Sequence, residues 1–208
     1  MFKIMKRKPV EHGIFEDIET IQRYDREAGA FMRLISKSFL SVVRKWGITD
    51  GKILDIGTGT GSIAIRFAQE LTGAHIIGLD LSDVVLHVAR ENVRKVKVSS
   101  TISFEKGDAQ DMPFDDATFD LVVSSNTLHL IKNPIKMFNE VQRVLTSPGM
   151  FCISDLRRSW LGIFTDHVRA SYSPEEVKDL LRQSKLLNWQ VKDYFLWLSI
   201  LSKSRCRV

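Results

Sequence analysis

Residues Ile53-Leu-Asp-Ile-Gly-Thr-Gly-Thr-Gly-Ser62 decide how this chain folds. The first half ends a short apolar run, Lys52-Ile-Leu-Asp-Ile56, that reads as a buried strand. Three alternating glycines follow, Gly57, Gly59 and Gly61. Residues 62–71 then take up the three- and four-residue apolar spacing of an amphipathic helix. Glycine suits the turn between them because a missing Cβ lets the backbone bend sharply and approach a ligand closely.

The same alternation extends towards the C-terminus. His75-Ile-Ile-Gly-Leu79 reads as the second strand, residues 82–96 as the second helix capped by Ser82, and Thr101-Ile-Ser-Phe-Glu105 as the third strand. The link to the fourth strand, Asp120-Leu-Val-Val-Ser124, shows a polar, turn-rich loop and no helix. Asn133 and Pro134 open a helix to about Leu145, which Ser147-Pro148-Gly149 breaks before a fifth strand over 150–154. Ser173-Pro174-Glu175-Glu176 starts the last helix, to about Ser184, and residues 189–192 and 196–202 are strands close enough to pair antiparallel. On the other side, residues 14–46 carry helical spacing that Gly47 stops. Strands alternating with helices imply a mostly parallel sheet covered on both faces. The expectation is therefore an α/β, doubly wound, seven-stranded sheet with its last strand antiparallel. It forms one domain over 1–208, with a helical cap over 1–47 and a core over 48–208.

In open α/β sheets, ligands sit beyond the carboxyl ends of the strands, where the strand order reverses. Dinucleotide folds favour G-x-G-x-x-G at that point, with pyrophosphate on the helix N-terminus. Here the spacing is G-x-G-x-G, and position 62 is serine. Asp55, at the strand end, would repel a pyrophosphate but could accept hydrogen bonds, directly or through water, from an ammonium. S-adenosylmethionine (SAM) carries an ammonium, a carboxylate and a sulfonium, and no phosphate. The electrostatics favour SAM.

Asp55-Ile-Gly-Thr-Gly-Thr-Gly61 resembles the first motif of class I SAM-dependent methyltransferases, and three further segments follow in the family's order. Gly78-Leu-Asp80-Leu-Ser82 places an acid at the end of strand two, about 20 residues past the loop, where a carboxylate can take both ribose hydroxyls. Gly107-Asp108-Ala109-Gln110 resembles the adenine-binding segment, in which an acid receives the adenine amino group and the next amide meets the ring. Phe119-Asp-Leu-Val-Val-Ser-Ser-Asn-Thr-Leu-His-Leu130 resembles the fourth motif, closest to the branch containing ubiquinone and menaquinone methyltransferases. The resemblance covers residues 52–155 well, and the flanks only in layout. It implies a Rossmann-like methyltransferase fold, with SAM as cofactor and S-adenosylhomocysteine as product. The implied cofactor residues are Asp55, Gly57, Thr58, Gly59, Gly61, Asp80, Leu81, Asp108, Ala109, Ser125 and Asn126.

Methyl transfer from a sulfonium is an in-line displacement, so the protein mainly aligns the acceptor and excludes water. A base is needed only if the acceptor must lose a proton early. His129, two residues beyond Thr127, is the candidate, beside the plainer reading of a packing histidine. Enzymes that methylate amino groups of nucleic-acid bases typically carry Asn/Asp-Pro-Pro-Tyr/Phe at the fourth motif. This chain has Ser124-Ser-Asn126-Thr127, which counts against base methylation. Tyr24 lies on the first helix, which in related enzymes folds over the pocket. Arg157, Arg158 and His167, in a stretch over 155–172 that also holds Trp160, Phe164 and Arg169, could form an acceptor pocket with apolar walls and polar anchors. No long insertion separates strands six and seven, which suits a small-molecule acceptor.

At 44% apolar and 26% charged residues the chain is no disordered polymer. Its net charge of +5 could attract nucleic acid or anionic lipid, but Lys3, Lys6, Arg7 and Lys8 read as a frayed tail and the other basic residues scatter. The cysteines, Cys152 and Cys206, have no metal-ligand or disulfide spacing and read as thiols of a reducing cytoplasm. No apolar run approaches the ~20 residues of a membrane span, and no apolar core follows the basic start as in a secretory signal. The expected partner is a small molecule, with nucleic acid disfavoured, no metal and a cytoplasmic location. Two other classes stay open. An NAD-dependent oxidoreductase is opposed by the loop spacing and Asp55, and a non-catalytic SAM- or RNA-binding protein would share the fold.

Overall fold

Apolar runs of five to eight residues rich in Ile, Leu and Val lie at the centre of the molecule, and longer amphipathic stretches cover them. The computed structural model describes residues 6–10, 17–98, 101–163 and 165–203. Helix α1 (Ile18–Lys45) is followed by β1 (Asp50–Ile56), α2 (Ser62–Glu70), β2 (Gly73–Asp80), α3 (Asp83–Val96) and β3 (Ile102–Lys106). Then come β4 (Phe119–Ser125), α4 (Pro134–Val144), β5 (Leu145–Leu156), the short α5 (Asp166–Ala170), α6 (Pro174–Gln183), β6 (Trp189–Asp193) and β7 (Trp197–Ser202). Single 3-10 turns lie at Leu128–Leu130 and Trp160–Ile163.

The strands form one sheet in the order β3-β2-β1-β4-β5-β7-β6. The first five run parallel, and β7 pairs antiparallel with both β5 and β6. Central strands β1 and β4 are buried on both faces, which is why they read as unbroken apolar runs. Alternate residues serve opposite layers. Leu54, Ile56 and Val122 pack with Phe138 and Val141 of α4 and Val177 of α6. Ile53, Leu121 and Val123 pack with Phe67 of α2 and with Phe39, Leu40 and Val43 of α1. The caps expected from sequence are formed: Ser82 accepts from Val85 N–H, Asn133 from Lys136 N–H, and Ser173 makes a capping box with Glu176.

The boundaries differ from the sequence reading in three places. Helix α1 begins behind Asp17, which caps it through Thr20, so the expected start at Ile14 lies outside the described residues. Strand β5 begins at Leu145 and runs through Ser147-Pro148-Gly149, which sequence read as a break. Pairing of Leu145 with Phe119 holds the early part, and the register shifts before Leu121 meets Met150. The basic start is not a frayed tail at Arg7 and Lys8. The Arg7 guanidinium lies 4.1 Å from the centre of the Tyr172 ring and donates to the carbonyls of Ala170 and His129, while Lys8 N–H donates to Arg169 O. Lys3 and Cys206 lie outside the described residues. No helix among the described residues is long and apolar enough to cross a membrane.

The β3–β4 link lacks a helix, as the sequence indicated, and Arg143 at the end of α4 replaces one. Its guanidinium donates to Phe114 O at 2.6 Å, Met112 O at 3.1 Å and Asp116 at 2.9 Å, and is held by Glu140. Arg143→Leu strands two carbonyls, so urea denaturation is expected to register a loss of about 1–3 kcal/mol.

Candidate active site

The order of the sheet reverses between β1 and β4. Helix α2 leaves β1 on one face while α4 lies on the other, so the two strand ends open into a crevice. Three buried polar atoms with no hydrogen-bond partner meet that edge: Asp55 Oδ1, Ser125 Oγ and Asn126 Oδ1. Buried polar atoms are nearly always paired, so a group of three beside one crevice marks a place where a ligand completes the bonding.

Asp55 is 1% exposed, and its other oxygen accepts the Thr58 hydroxyl at 2.8 Å. Burial, with a smaller contribution from the nearby Asp80 charge, pushes its pKa from the ordinary 3.8 up to about 7. The loop turns back on β2, with Gly57 N–H and Thr58 N–H both donating to Leu79 O. Gly57 and Gly59 have φ of +65° and +56°. A Cβ on Gly57 would fall 2.1 Å from the Thr127 hydroxyl, whereas one on Gly59 would meet no atom within 4 Å. Gly57 thus serves the fold's own packing, and Gly59 borders open space.

Asp80 closes the second side. It accepts Gly59 N–H at 3.0 Å and Ser82 N–H at 3.1 Å, one on each oxygen, which leaves lone pairs for further donors. Burial raises its pKa despite those bonds. Leu81 beside it is 50% exposed, an apolar side chain displayed at the crevice rim. Asp108 is held by the amide and side chain of Gln110, and Ala109 is buried. Helix α1 is tied to the glycine loop, because Asp25 accepts from Thr60 and Asn92. The Tyr24 side chain lies outside the described residues.

His129 and His167 come together. His129 is 3% exposed, with Nδ1 2.7 Å from Asp155 Oδ1 and Nε2 3.1 Å from Nδ1 of the exposed His167. Asp155 Oδ2 also accepts the backbone N–H of His129 at 2.7 Å. Partial desolvation of its ring by the packed neighbours, although the residue as a whole is exposed, and then the neighbouring His129 hold the pKa of His167 below the ordinary 6.5. The arginines do not join them. Arg158 is buried, bound to Glu176 at 2.6 Å and to Ser171 O, and Arg157 pairs with Asp193 at 2.7 Å. Phe164 lies outside the described residues, and Trp160 is exposed.

Asp155 is the site residue that sequence reasoning passed over. It ends an apolar strand beside β4, the position that singled out Asp55 and Asp80, so the same rule would have found it.

The family model described as a methyltransferase domain matches residues 49–197 of the chain. The malonyl-[acyl-carrier protein] O-methyltransferase of Geobacter sulfurreducens is 32% identical over 131 residues, covering 63% of this chain and 48% of that protein. A ubiquinone/menaquinone biosynthesis C-methyltransferase of Geobacter sp. strain M21 is 30% identical over 126 residues, 60% of this chain and 54% of that protein. The chain thus spans about half the length of these two relatives. The crystal structure of a SAM-dependent methyltransferase from Aquifex aeolicus shares the fold, with a TM-score of 0.72 at 20% identity over 92% of this chain and 100% of that one.

Two outcomes follow from the loop. With a folded-state pKa of about 7 against 3.8, Asp55 keeps its proton longer when folded, so it favours the fold fully below pH 3.8 and that contribution is lost as pH rises through 7. Asp55→Asn is expected to stabilise the ligand-free protein at pH 8 by about 1–3 kcal/mol and to flatten the fall between pH 4 and 7, as thermal melts across pH would show. Gly57→Ala, meeting both strain and the Thr127 hydroxyl, is expected to lose about 2 kcal/mol or more, clearly beyond the loss for Gly59→Ala in the same melts.

Proposed function

Because the chain belongs to the methyltransferase domain family, we propose that it transfers the methyl group of SAM to a small-molecule acceptor and releases S-adenosylhomocysteine. The observation that carries the reading is the set of unpartnered polar atoms at the ends of β1 and β4 beside the open face of Gly59. Asp55 Oδ1 and Asn126 Oδ1 are acceptors, matched to an ammonium. A buried carboxylate that rests poorly as an anion gains from a cation beside it, which a pyrophosphate cannot supply. Asp80 retains lone pairs for two ribose hydroxyls, and Leu81 offers an apolar face to a purine. Asp108 and the amide of Ala109 are the groups assigned to the adenine edge. When bound, SAM supplies a methyl group on a positive sulfur, ready for displacement.

The protein's remaining task is to orient the acceptor and keep water out. Tyr24 and His167 are the acceptor contacts of this reading, and Arg157 joins them only by leaving Asp193. Arg158 enters it through the fold, because its guanidinium is committed to Glu176 and Ser171 O. The small-molecule class is supported by the absence of a long insertion between β6 and β7 and by the relatives' names, which speak of ubiquinone/menaquinone biosynthesis and of malonyl-[acyl-carrier protein]. Removal of a proton, where the acceptor requires it, falls to the His129 site that Asp155 anchors.

Titration calorimetry tests the donor. SAM is expected to bind the wild-type chain, Gly59→Val to abolish binding by filling the open space, and Asp80→Ala to weaken it about tenfold or more, one decade per ~1.4 kcal/mol. A folded Gly59→Val variant with normal affinity overturns the placement. A screen of small metabolites for SAM-dependent release of S-adenosylhomocysteine tests the reaction, and release with none of them counts against turnover.

A further inference from the structure

On the premise that the protein transfers methyl groups, we infer that His167 is the residue that takes the acceptor's proton, that His129 and Asp155 are positioning residues behind it, and that the acceptor is a compound that must lose a proton, as a hydroxyl does. The inference follows from where hydrogen atoms can go. A carboxylate only accepts hydrogen bonds. Asp155 takes the backbone N–H of His129 on Oδ2, and its Oδ1 faces Nδ1 of the ring. Nδ1 of His129 therefore carries the ring proton, and in the neutral ring Nε2 is a bare acceptor. The group facing that nitrogen, at 3.1 Å, is Nδ1 of His167, which must then be the donor. The bare lone pair of the chain of groups emerges at Nε2 of His167.

Burial agrees with this order. Asp155 is 1% and His129 3% exposed, with the outer nitrogen of His129 covered by the second ring, so an acceptor meets His167 first. The rings stand edge to face, 5.2 Å apart at an interplanar angle of 89°, so an edge nitrogen of one addresses the other. The charged and titratable groups around the pair are Asp155 behind His129, Asp166 at the start of α5, and Arg7, whose guanidinium sits on the His129 carbonyl. Asp155 and Asp166 favour a protonated His167, while burial and His129 oppose it, and the opposing causes win. The ring is thus neutral and able to accept at pH 7.

In the step, the O–H bond of the acceptor breaks and its proton passes to Nε2 of His167. The oxygen's electron pair forms the new bond to the methyl carbon, and the sulfur keeps the pair of the bond it loses. The imidazolium is held through His129 by the Asp155 carboxylate. A carboxylate acceptor has no proton to lose and would leave these three residues without a task.

The tautomers can be read without an acceptor, by long-range ¹⁵N NMR of the histidine rings in the full chain, with and without SAM, using His129→Gln and His167→Gln for assignment. Both rings are expected to be protonated at Nδ1 and bare at Nε2 at pH 8. In Asp155→Asn one amide oxygen cannot serve the His129 N–H, the Leu156 N–H and the ring together, so the fixed Nδ1–H form of both rings is expected to give way in part to the Nε2–H form. A wild-type His167 protonated at Nε2 overturns the assignment even if Asp155→Asn fails to fold. With the acceptor that the metabolite screen yields, His167→Gln is expected to lower kcat about 100- to 10,000-fold, to remove the acid limb below pH 6.5, and to leave SAM affinity unchanged. A carboxylate acceptor, or an unaltered pH profile in His167→Gln, also overturns it. Absence of SAM binding to the wild-type chain is a separate failure, of the methyl-transfer reading itself.

Discussion

Helix α2 departs from β1 towards one face of the sheet and α4 from β4 towards the other, so neither can close over the gap between the two strand ends. At this one place, backbone and side-chain polar groups must be satisfied by something other than the chain's own packing. The glycine loop, Asp55, Ser125 and Asn126 all lie within a residue or two of that gap, and Asp80 ends the strand on the other side of β1. Their burial, their raised carboxyl pKa values and their unpartnered atoms are consequences of the divergence.

The same edge carries a second set of polar groups that is closed on itself. Asp155, His129 and His167 are bonded in series, with Asp155 adding two backbone donors from His129 and Leu156. One set offers vacant acceptors to a cation, and the other holds its hydrogen atoms in a fixed order. Asp55 near the end of β1 and Asp155 near the end of β5 anchor the two sets on one sheet with β4 between them, while His129 and His167 are carried by the turn after β4 and by α5.

Features fixed by local chemistry could be read in advance. The glycine turn, the capping residues Ser82, Asn133 and Ser173, and the alternation of short apolar runs with amphipathic helices each depend on residues within a few positions of one another. The features that escaped depend on partners far away in sequence. Strand β5 extends through Pro148 because Phe119 offers it a partner, and Arg158 is turned inward because Glu176 waits for it. His129 was visible as a titratable group near the site, but its meaning needed Asp155, 26 residues on, and His167, 38 residues on. Asp108 shows the converse, since its position was legible while its present partner, Gln110, was not.

The bond from Arg7 to Ala170 spans 163 positions. Synthesis proceeds from the N-terminus, and a domain generally folds as a unit. The strands and loop that carry Asp55, Asp80 and Asn126 leave the ribosome well before Tyr172, the ring on which Arg7 settles. Arg7 can therefore settle only after residue 172 has been made, and the long loop it closes is among the slowest contacts to form. The residues of the crevice between β1 and β4 are thus all made before the ring that Arg7 needs, and the histidine side of the edge is finished only when that contact across 163 positions closes.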